Sequence, residues 1–523
     1  MGMSLNWVTD SVAATLPSVA EDKSAVALGS EAMLTWRELR ELELRCAQAL
    51  RAAGVRRGDR VGLLLRNSVE YVALYLAVAR AGAMSVRVNW RLSAPEIGFI
   101  LGDSGASVLI FGAEFAAAVD AQRHGSPVQT FVAIDDGSPV PEWAQPFETF
   151  ADTLSVTDGL PELDMSDGAT LMYTSGTTGR PKGAVLTHGN SLWTASIQTQ
   201  KWRFDGNSVA VTSGPLFHAG GFEVLLLPAL VNHGTAVTFP SGGFTLEQLL
   251  NVSRTRSATK MLVYPFMLTD MLRLPDLEQL VPSTLEAVVT GGDTVMPWVY
   301  EEFSRRLPGV ELIQSYGLTE GGAVSACLDH DLAKDHESSI GRPQALTEIK
   351  LVDSVGREVQ VGEVGEVCVR SPAVSPGYWN LPEANASTFV DGWCHTGDLA
   401  RIDADGFLTL AGRAKDMYRS GGENVYPAEV EKVLTGHEHV ADAAVVGVPD
   451  VKFIEVGAAM ITAKEGIEVD VDALRAYCLE RLAKYKVPRY FHVVTDLPRN
   501  ANGKVLKAVI RAQLTEPSQE LPQ

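Results

Sequence analysis

The chain has no paired cysteines, no basic excess and no long apolar run, and each absence removes a class of function. Its five cysteines (Cys46, Cys327, Cys368, Cys394, Cys478) are scattered, with no CxxC pair. Neither a disulfide framework nor a cysteine metal centre is expected; they read as reduced thiols in or near the core of a cytoplasmic protein. Lys and Arg number 44 against 64 Asp and Glu, a net charge of −20. A general nucleic-acid binder would show a basic face instead, so a polyanionic ligand must meet a local cluster of donors rather than a global field. The most apolar run, residues 222–231, is too short to span a bilayer and carries Glu223 and Pro228. No basic region followed by an apolar stretch opens the chain, so no signal peptide is expected. There is no internal repeat and no low-complexity tract.

What is present is an ordinary soluble composition, 46% hydrophobic and 21% charged, in 523 residues, enough for two or three domains. Thr35 and Glu38 form a capping-box pattern ahead of a helix to about residue 53, with Gly54 as its stop. A buried strand is predicted at 61–65, a helix at 69–81 ended by Gly82, a strand at 84–88, a helix from Ser93 and a strand at 108–111. Residues 125–167, rich in Pro, Asp, Gly and Ser, read as a long surface connection. The alternation resumes with strands at 209–212, 236–239, 261–263, 287–290 and 311–314 and helices at 245–256 and 297–307. Strand–helix–strand rhythm of this kind implies an α/β fold of parallel sheets flanked by helices. Short alternating runs at 349–352 and 365–369 make residues 340–411 a barrel-like or antiparallel subdomain. The last hundred or so residues read as a small α+β domain, with strands at 443–448, 457–461 and 491–494 and helices at 428–436 and 471–483. The expected division is an N-terminal domain over 1–412 and a C-terminal one over 413–523.

The densest chemistry lies in Tyr173-Thr174-Ser175-Gly176-Thr177-Thr178-Gly179-Arg180-Pro181-Lys182-Gly183, directly after a predicted buried strand. Glycines let a backbone bend tightly and bring its N–H groups to a ligand. Those amides, the hydroxyls and Lys182 suit phosphate oxygens, which take many charge-assisted donors. The common nucleotide P-loop is excluded, because Pro181 stands where that motif needs glycine.

A second cluster, Ser315-Tyr316-Gly317-Leu318-Thr319-Glu320, also follows a predicted strand. Tyr316 offers a flat face for a base, Thr319 a donor for phosphate and Glu320 a hard oxygen ligand for Mg²⁺. In Thr396-Gly397-Asp398 a carboxylate beside glycine suits the two hydroxyls of a ribose. Gly291-Gly292-Asp293, taken alone, is a turn at a strand end. Ser420-Gly421-Gly422-Glu423 precedes Pro427 and reads as a tight turn into a helix. His218, among apolar residues, is either a core histidine or a site residue.

Taken together, and in this order, the motifs resemble those of the adenylate-forming superfamily: acyl- and aryl-CoA synthetases, adenylation domains of peptide synthetases and luciferases. The resemblance covers nearly the whole chain. It implies that Thr174, Ser175, Gly176, Thr177, Thr178, Gly179 and Lys182 hold the phosphates of ATP, and that Gly291, Gly292, Asp293, Ser315, Tyr316 and Gly317 line the adenine site. It implies Asp398 and Arg413 on the ribose, Glu320 on Mg²⁺, and Thr319 with Glu320 in catalysis. Lys504, in Gly503-Lys504, matches the catalytic lysine and Lys415 the hinge. Gly421, Gly422 and Glu423 fall on the loop that faces coenzyme A. His218 falls at the carboxylate end of the acyl pocket, whose walls include Phe222, Tyr264 and Gly321; Glu223 near its mouth hints at a polar group on the substrate.

The implied activity is an AMP-forming acid–thiol ligase. It would activate a bulky, cyclic or fatty carboxylic acid with ATP and Mg²⁺ and pass the acyl group to CoA. The alternative is a stand-alone adenylating enzyme serving a carrier protein or partner enzyme. A luciferase-like oxygenase and a non-enzymatic nucleotide-sensing relic are the more distant readings. The expected partners are the acid, ATP and CoA, with a homodimer admitted, no nucleic acid and no membrane span.

Overall fold

The structure is a computed structural model, and it describes residues 4–10, 21–152, 159–174, 181–242, 244–292, 295–336, 339–420, 423–450, 453–499 and 505–515. The chain divides into two compact units, Met1–Ile349 with Cys368–Thr396, and Lys350–Val367 with Gly397–Gln523.

The first unit holds two large mixed sheets. One runs in the order Gly377–Tyr378, Lys182–Thr187, Gly168–Thr174, Met84–Arg87, Arg60–Leu64, Val108–Gly112, Thr130–Ile134, Gln145–Pro146. From Gly168–Thr174 onward its neighbours are parallel, as strand–helix–strand rhythm demands. The other runs Arg342–Pro343, Ala326–Leu328, Glu311–Tyr316, Ala287–Gly291, Lys260–Leu262, Val209–Thr212, Thr235–Thr238, Ser24–Leu28, Ala32–Thr35.

Between the sheets lies the helix Val69–Arg80, buried at every position but Glu70. It packs on helix Trp36–Ala52 and touches strands of both sheets. A helix apolar all round can only sit inside, and Val72, Leu74, Tyr75 and Leu76 meet that demand. The predicted capping box at Thr35 is present. Thr35 Oγ1 accepts the Glu38 amide at 3.2 Å and the Thr35 amide donates to Glu38 Oε2 at 2.8 Å.

The stretch expected to be a surface connection is a correction. Thr130–Ile134 adds to the parallel sheet beside Val108–Gly112, and Gln145–Pro146 and helix Phe147–Ala151 follow. Turn residues surround a strand too short to show a period, and sheet pairing overrode the local composition. The five cysteines are all buried, as expected of thiols in or near the core.

The second unit contains the hairpin in which Asp398–Ile402 of strand Trp393–Ile402 runs antiparallel to Leu408–Arg413. It also contains the sheet Glu423–Val425, Tyr418–Ser420, Ile454–Ala463, Val440–Asp450, with Tyr490–Val494 parallel to Ile454–Ala463. Helices Pro427–Thr435 and Val471–Arg481 pack their apolar faces with Tyr418, Val445 and Ile461. By compactness, residues 350–367 and 397–412 group with the C-terminal stretch.

His188 opens helix His188–Trp202 fully buried, and its Nδ1 accepts the Leu5 amide at 3.1 Å. Burial pushes its pKa from 6.5 down to about 4, against the opposing pull of Asp167. Above pH 6.5 both folded and unfolded states are neutral there. As the pH falls from about 6.5 to 4 only the unfolded state gains the proton, so stability is lost across that window, on the order of 3 kcal/mol in all. Thermal melting at pH 7 and pH 5 should show this slope, and His188→Gln should flatten it; an unchanged slope refutes the assignment.

Candidate active site

The phosphate-loop candidate sits at the mouth of a hairpin. Strands Gly168–Thr174 and Lys182–Thr187 run antiparallel, and their register ends on the pair Thr174↔Lys182. Residues Ser175, Gly176, Thr177, Thr178 and Gly179 lie outside the described residues. Thr174 and Lys182 flank them in sequence, at the end of the paired register.

Glu320 meets Thr174. Thr174 Oγ1 donates to Glu320 Oε1 at 2.9 Å, and the Tyr378 hydroxyl donates to the same oxygen at 2.9 Å. Tyr378 comes from strand Gly377–Tyr378, antiparallel to Lys182–Thr187, with Tyr378 opposite Ala184. Its ring lies 5.0 Å from Lys182 Nζ, a cation–π distance. Burial, and then the Glu320 carboxylate, raise the Tyr378 pKa, so it stays a neutral donor. A threonine, a tyrosine and a carboxylate thus meet, with a lysine beside the tyrosine ring, though Thr174 and Glu320 are 146 positions apart. Glu320 itself is 8% exposed. Among the described residues both hydrogen bonds to its carboxylate go to Oε1, which leaves Oε2 for a cation. A buried carboxylate with one oxygen to spare fits Mg²⁺.

The adenine candidates sit at the C-terminal ends of two neighbouring strands, Ala287–Gly291 and Glu311–Tyr316, or just after them. Gly291 and Ser315 are register partners in parallel strands, and Ser315 Oγ donates to the Thr290 carbonyl at 3.0 Å. A Cβ on Gly291 would stand 2.4 Å from the Ser315 carbonyl, and one on Gly317 2.0 Å from the Ala323 carbonyl. Neither position admits a side chain. Gly292 has φ +87°, which favours glycine. Tyr316 and Thr319 are each 9% exposed. Asp293 lies outside the described residues.

On the acyl side His218 is exposed rather than a core histidine. It caps helix Ala219–Phe222, its Nδ1 accepting the Gly220 amide at 3.0 Å. Tyr264 comes from a different strand end, and its hydroxyl lies where a Cβ on Gly214 would stand 3.0 Å away and one on Gly220 3.6 Å away. The Gly220 Cβ would also stand 3.2 Å from His218 Nδ1, so the small residues bring these two polar groups together. Burial pushes the Tyr264 phenol up to about 12, and its ring stacks on the exposed Phe266 at 6.3 Å. Phe222 is wholly buried, 4.6 Å from the Tyr75 ring. Gly321 is buried, and a Cβ there would meet the end of the Leu318 side chain at 2.6 Å. Glu223 is a correction: it is 2% exposed and paired with Arg87, with no place at a pocket mouth.

In the second unit Asp398 and Arg413 are register partners, with Arg413 Nε 2.9 Å from Asp398 Oδ1. Gly397 turns with φ +73° and donates its amide to Glu366 Oε1 at 2.9 Å. Lys415 is exposed in the turn between Leu408–Arg413 and Tyr418–Ser420. Glu423 pairs with Ser420 through its backbone. Gly421, Gly422 and Lys504 lie outside the described residues; the bridge Arg499↔Val505 flanks the last.

Tyr378 is the site residue that sequence reasoning missed. Its only signal was an aromatic after Gly377, in a two-residue strand too short to register as a period.

Known proteins match nearly the whole chain. Residues 17–379 match the AMP-binding enzyme family, and residues 429–504 the AMP-binding enzyme C-terminal domain. A feruloyl-CoA synthase from Amycolatopsis sp. is 37% identical over 482 residues, 91% of this chain and 93% of its own length. A fatty acid–[acyl-carrier-protein] ligase, ScoC, from Streptomyces coeruleorubidus is 36% identical over 488 residues, 91% of each chain. The solved structure of an anthranilate CoA ligase, AuaEII, with anthranoyl-AMP superposes with a TM-score of 0.88 at 29% identity, over 98% of this chain and 97% of that one. By domain content, sequence and fold, this chain belongs to the AMP-binding enzyme family of adenylate-forming enzymes.

Proposed function

We propose that the protein is an AMP-forming acyl-CoA synthetase whose acid is ring-bearing or fatty. The observation that supports this is that Thr174 and Tyr378 both donate to Glu320, with Lys182 Nζ 5.0 Å from the Tyr378 ring. In this reading these groups serve a triphosphate and the cation that Glu320 would hold. A carboxylate does not acylate a thiol directly, because oxide is not a workable leaving group. Attack of a carboxylate oxygen on the α-phosphorus of ATP forms the acyl-adenylate and expels pyrophosphate. Attack of the CoA sulfur on the acyl carbon then expels AMP, and the thiol proton leaves to solvent.

Acid and triphosphate repel each other, so the site must neutralise charge and hold the attack in line. Lys182 and the loop hydroxyls do this at the terminal phosphates. Mg²⁺ held by Glu320 would supply further charge stabilisation. In this reading Asp398 and Arg413 exchange their mutual ion pair for the ribose hydroxyls, His218 and Tyr264 stand at the carboxylate end of the acid, and Lys504 offsets charge during adenylation. Gly421, Gly422 and Glu423 serve the CoA step, with Lys415 as the hinge between half-reactions.

Support for an aromatic acid comes from the feruloyl and anthranilate ligases and from the Tyr264–Phe266 stack, and support for a fatty acid from ScoC. The kinship with ScoC keeps open a carrier protein as the acceptor. Incubation with ATP, a mixed pool of aromatic and fatty acids, and CoA present or absent should give pyrophosphate and an acyl-CoA. Acyl-adenylate that accumulates with CoA present, and disappears only with a carrier protein, would favour the second reading. No pyrophosphate with any acid would sink both. Gel filtration with light scattering tests the homodimer. Lys415→Pro, by fixing φ at the hinge, is expected to slow thioester formation far more than adenylation; equal losses would count against a hinge there.

A further inference from the structure

The chain buries a complete ion pair in the first unit that none of the chemistry above uses. Arg87, the last residue of strand Met84–Arg87, is wholly buried, and its Nη2 lies 2.8 Å from both carboxylate oxygens of Glu223. Its Nη1 donates to the Leu216 carbonyl at 3.0 Å. Nη2 also meets Met172 Sδ, two residues before Thr174 on the strand that feeds the phosphate loop. The guanidinium packs over the Tyr75 and Phe222 rings, at 5.6 and 5.8 Å.

One cation therefore grips both ends of the segment 216–223, the segment that presents His218 and Gly220 beside Tyr264. Burying two charges is expensive, and an apolar pair of similar volume commonly folds as well. Bulk stability is thus a weak reason for the pair. Geometry is a stronger one. Leu216 and Glu223 bracket the exposed His218; Asn67 Oδ1 accepts the Leu216 amide at 2.8 Å and Phe222 packs on Tyr75, and the guanidinium adds the polar tie that spans both ends of the segment.

We propose that Arg87 and Glu223 are positioning residues that fix the His218 segment against the strand leading to the phosphate loop, and so set the fit of the acid. This rests on the acid-activating function proposed above. Deleting one charge would strand the other in the core, so the test is the paired variant R87M/E223L.

Amide exchange read by mass spectrometry should speed up over 216–223 by about tenfold or more, while 69–80 stays as protected as in the wild type. In pyrophosphate-release kinetics the acid KM should rise about tenfold with the ATP KM within about twofold, since small misplacements are felt where the acid is held. R87K, which keeps the charge, should restore most of the acid KM. Wild-type exchange over 216–223 would overturn the clamp whatever the activity. Faster exchange with an unchanged acid KM would overturn its role in fitting the acid. Failure of wild-type protein to release pyrophosphate with any acid would instead sink the functional reading, and with it the acid half of the proposal, leaving the exchange result to judge the clamp. If R87M/E223L does not fold, Glu223→Asp shortens the reach by one methylene and should give a smaller exchange increase in the same segment; no increase there also overturns the clamp.

Discussion

Glu320→Gln is expected to slow adenylation by about two to three decades, the scale on which loss of a transition-state charge contact is felt. Glutamine keeps the shape and an oxygen that can accept the Thr174 and Tyr378 hydroxyls, which meet Glu320 at 2.9 Å each. The fold should therefore hold. What is lost is the negative charge that a divalent cation needs. The deficit should show in the Mg²⁺ concentration for half-maximal pyrophosphate release, which should move upward, more than in the KM for the acid. Tyr378→Phe is the control: it removes one neutral hydrogen bond and leaves the carboxylate, so its cost should be about tenfold or less. A Glu320→Gln enzyme with near-normal turnover and an unshifted Mg²⁺ requirement would remove this residue from the site and leave the Thr174–Glu320–Tyr378 cluster a structural contact.

Elements with strong periods were legible in the sequence. The helix over 69–81 and the parallel strands around it are apolar enough that nothing but burial suits them, and the structure places Val69–Arg80 between two sheets. The capping box at Thr35 was legible because its signal is local, two side chains three residues apart. The strand Thr130–Ile134 was not, because five residues among prolines and glycines carry no period and only pairing with Val108–Gly112 makes them a strand. The site divides in the same way. Glu320 and Lys182 are each marked by their own motif, but Tyr378 enters only through its pairing with the strand after the loop. Glu223 shows the sharper limit. Read locally, a carboxylate beside Phe222 suggested a polar contact for substrate. Its partner Arg87 lies 136 positions away, and no single-sequence pattern joins the two.

Lys504→Ala is expected to slow adenylation by about two to three decades while leaving thioester formation from a supplied acyl-adenylate within a few-fold of wild type. The two half-reactions make different electrostatic demands. In the first, an anionic acid approaches an anionic α-phosphate, and negative charge accumulates on oxygens that must be met by donors already in place. An ammonium does that at little reorganisation cost, and alanine leaves the charge uncompensated. In the second, the adenylate is already made and the leaving group is AMP, so the same ammonium has less to offset. Lys504→Arg should fall between the two, because guanidinium keeps the charge but spreads it over a planar fork of different reach. Pyrophosphate exchange into ATP measures the first step alone, and acyl transfer from synthetic acyl-adenylate to CoA measures the second. Near-normal exchange in Lys504→Ala would show that the charge at the α-phosphate is met by other groups, with Lys182 and Arg413 the next cations to test. Equal losses in both steps would point instead to a structural role for the segment around Lys504, which separate melting curves for the variant and wild type would reveal.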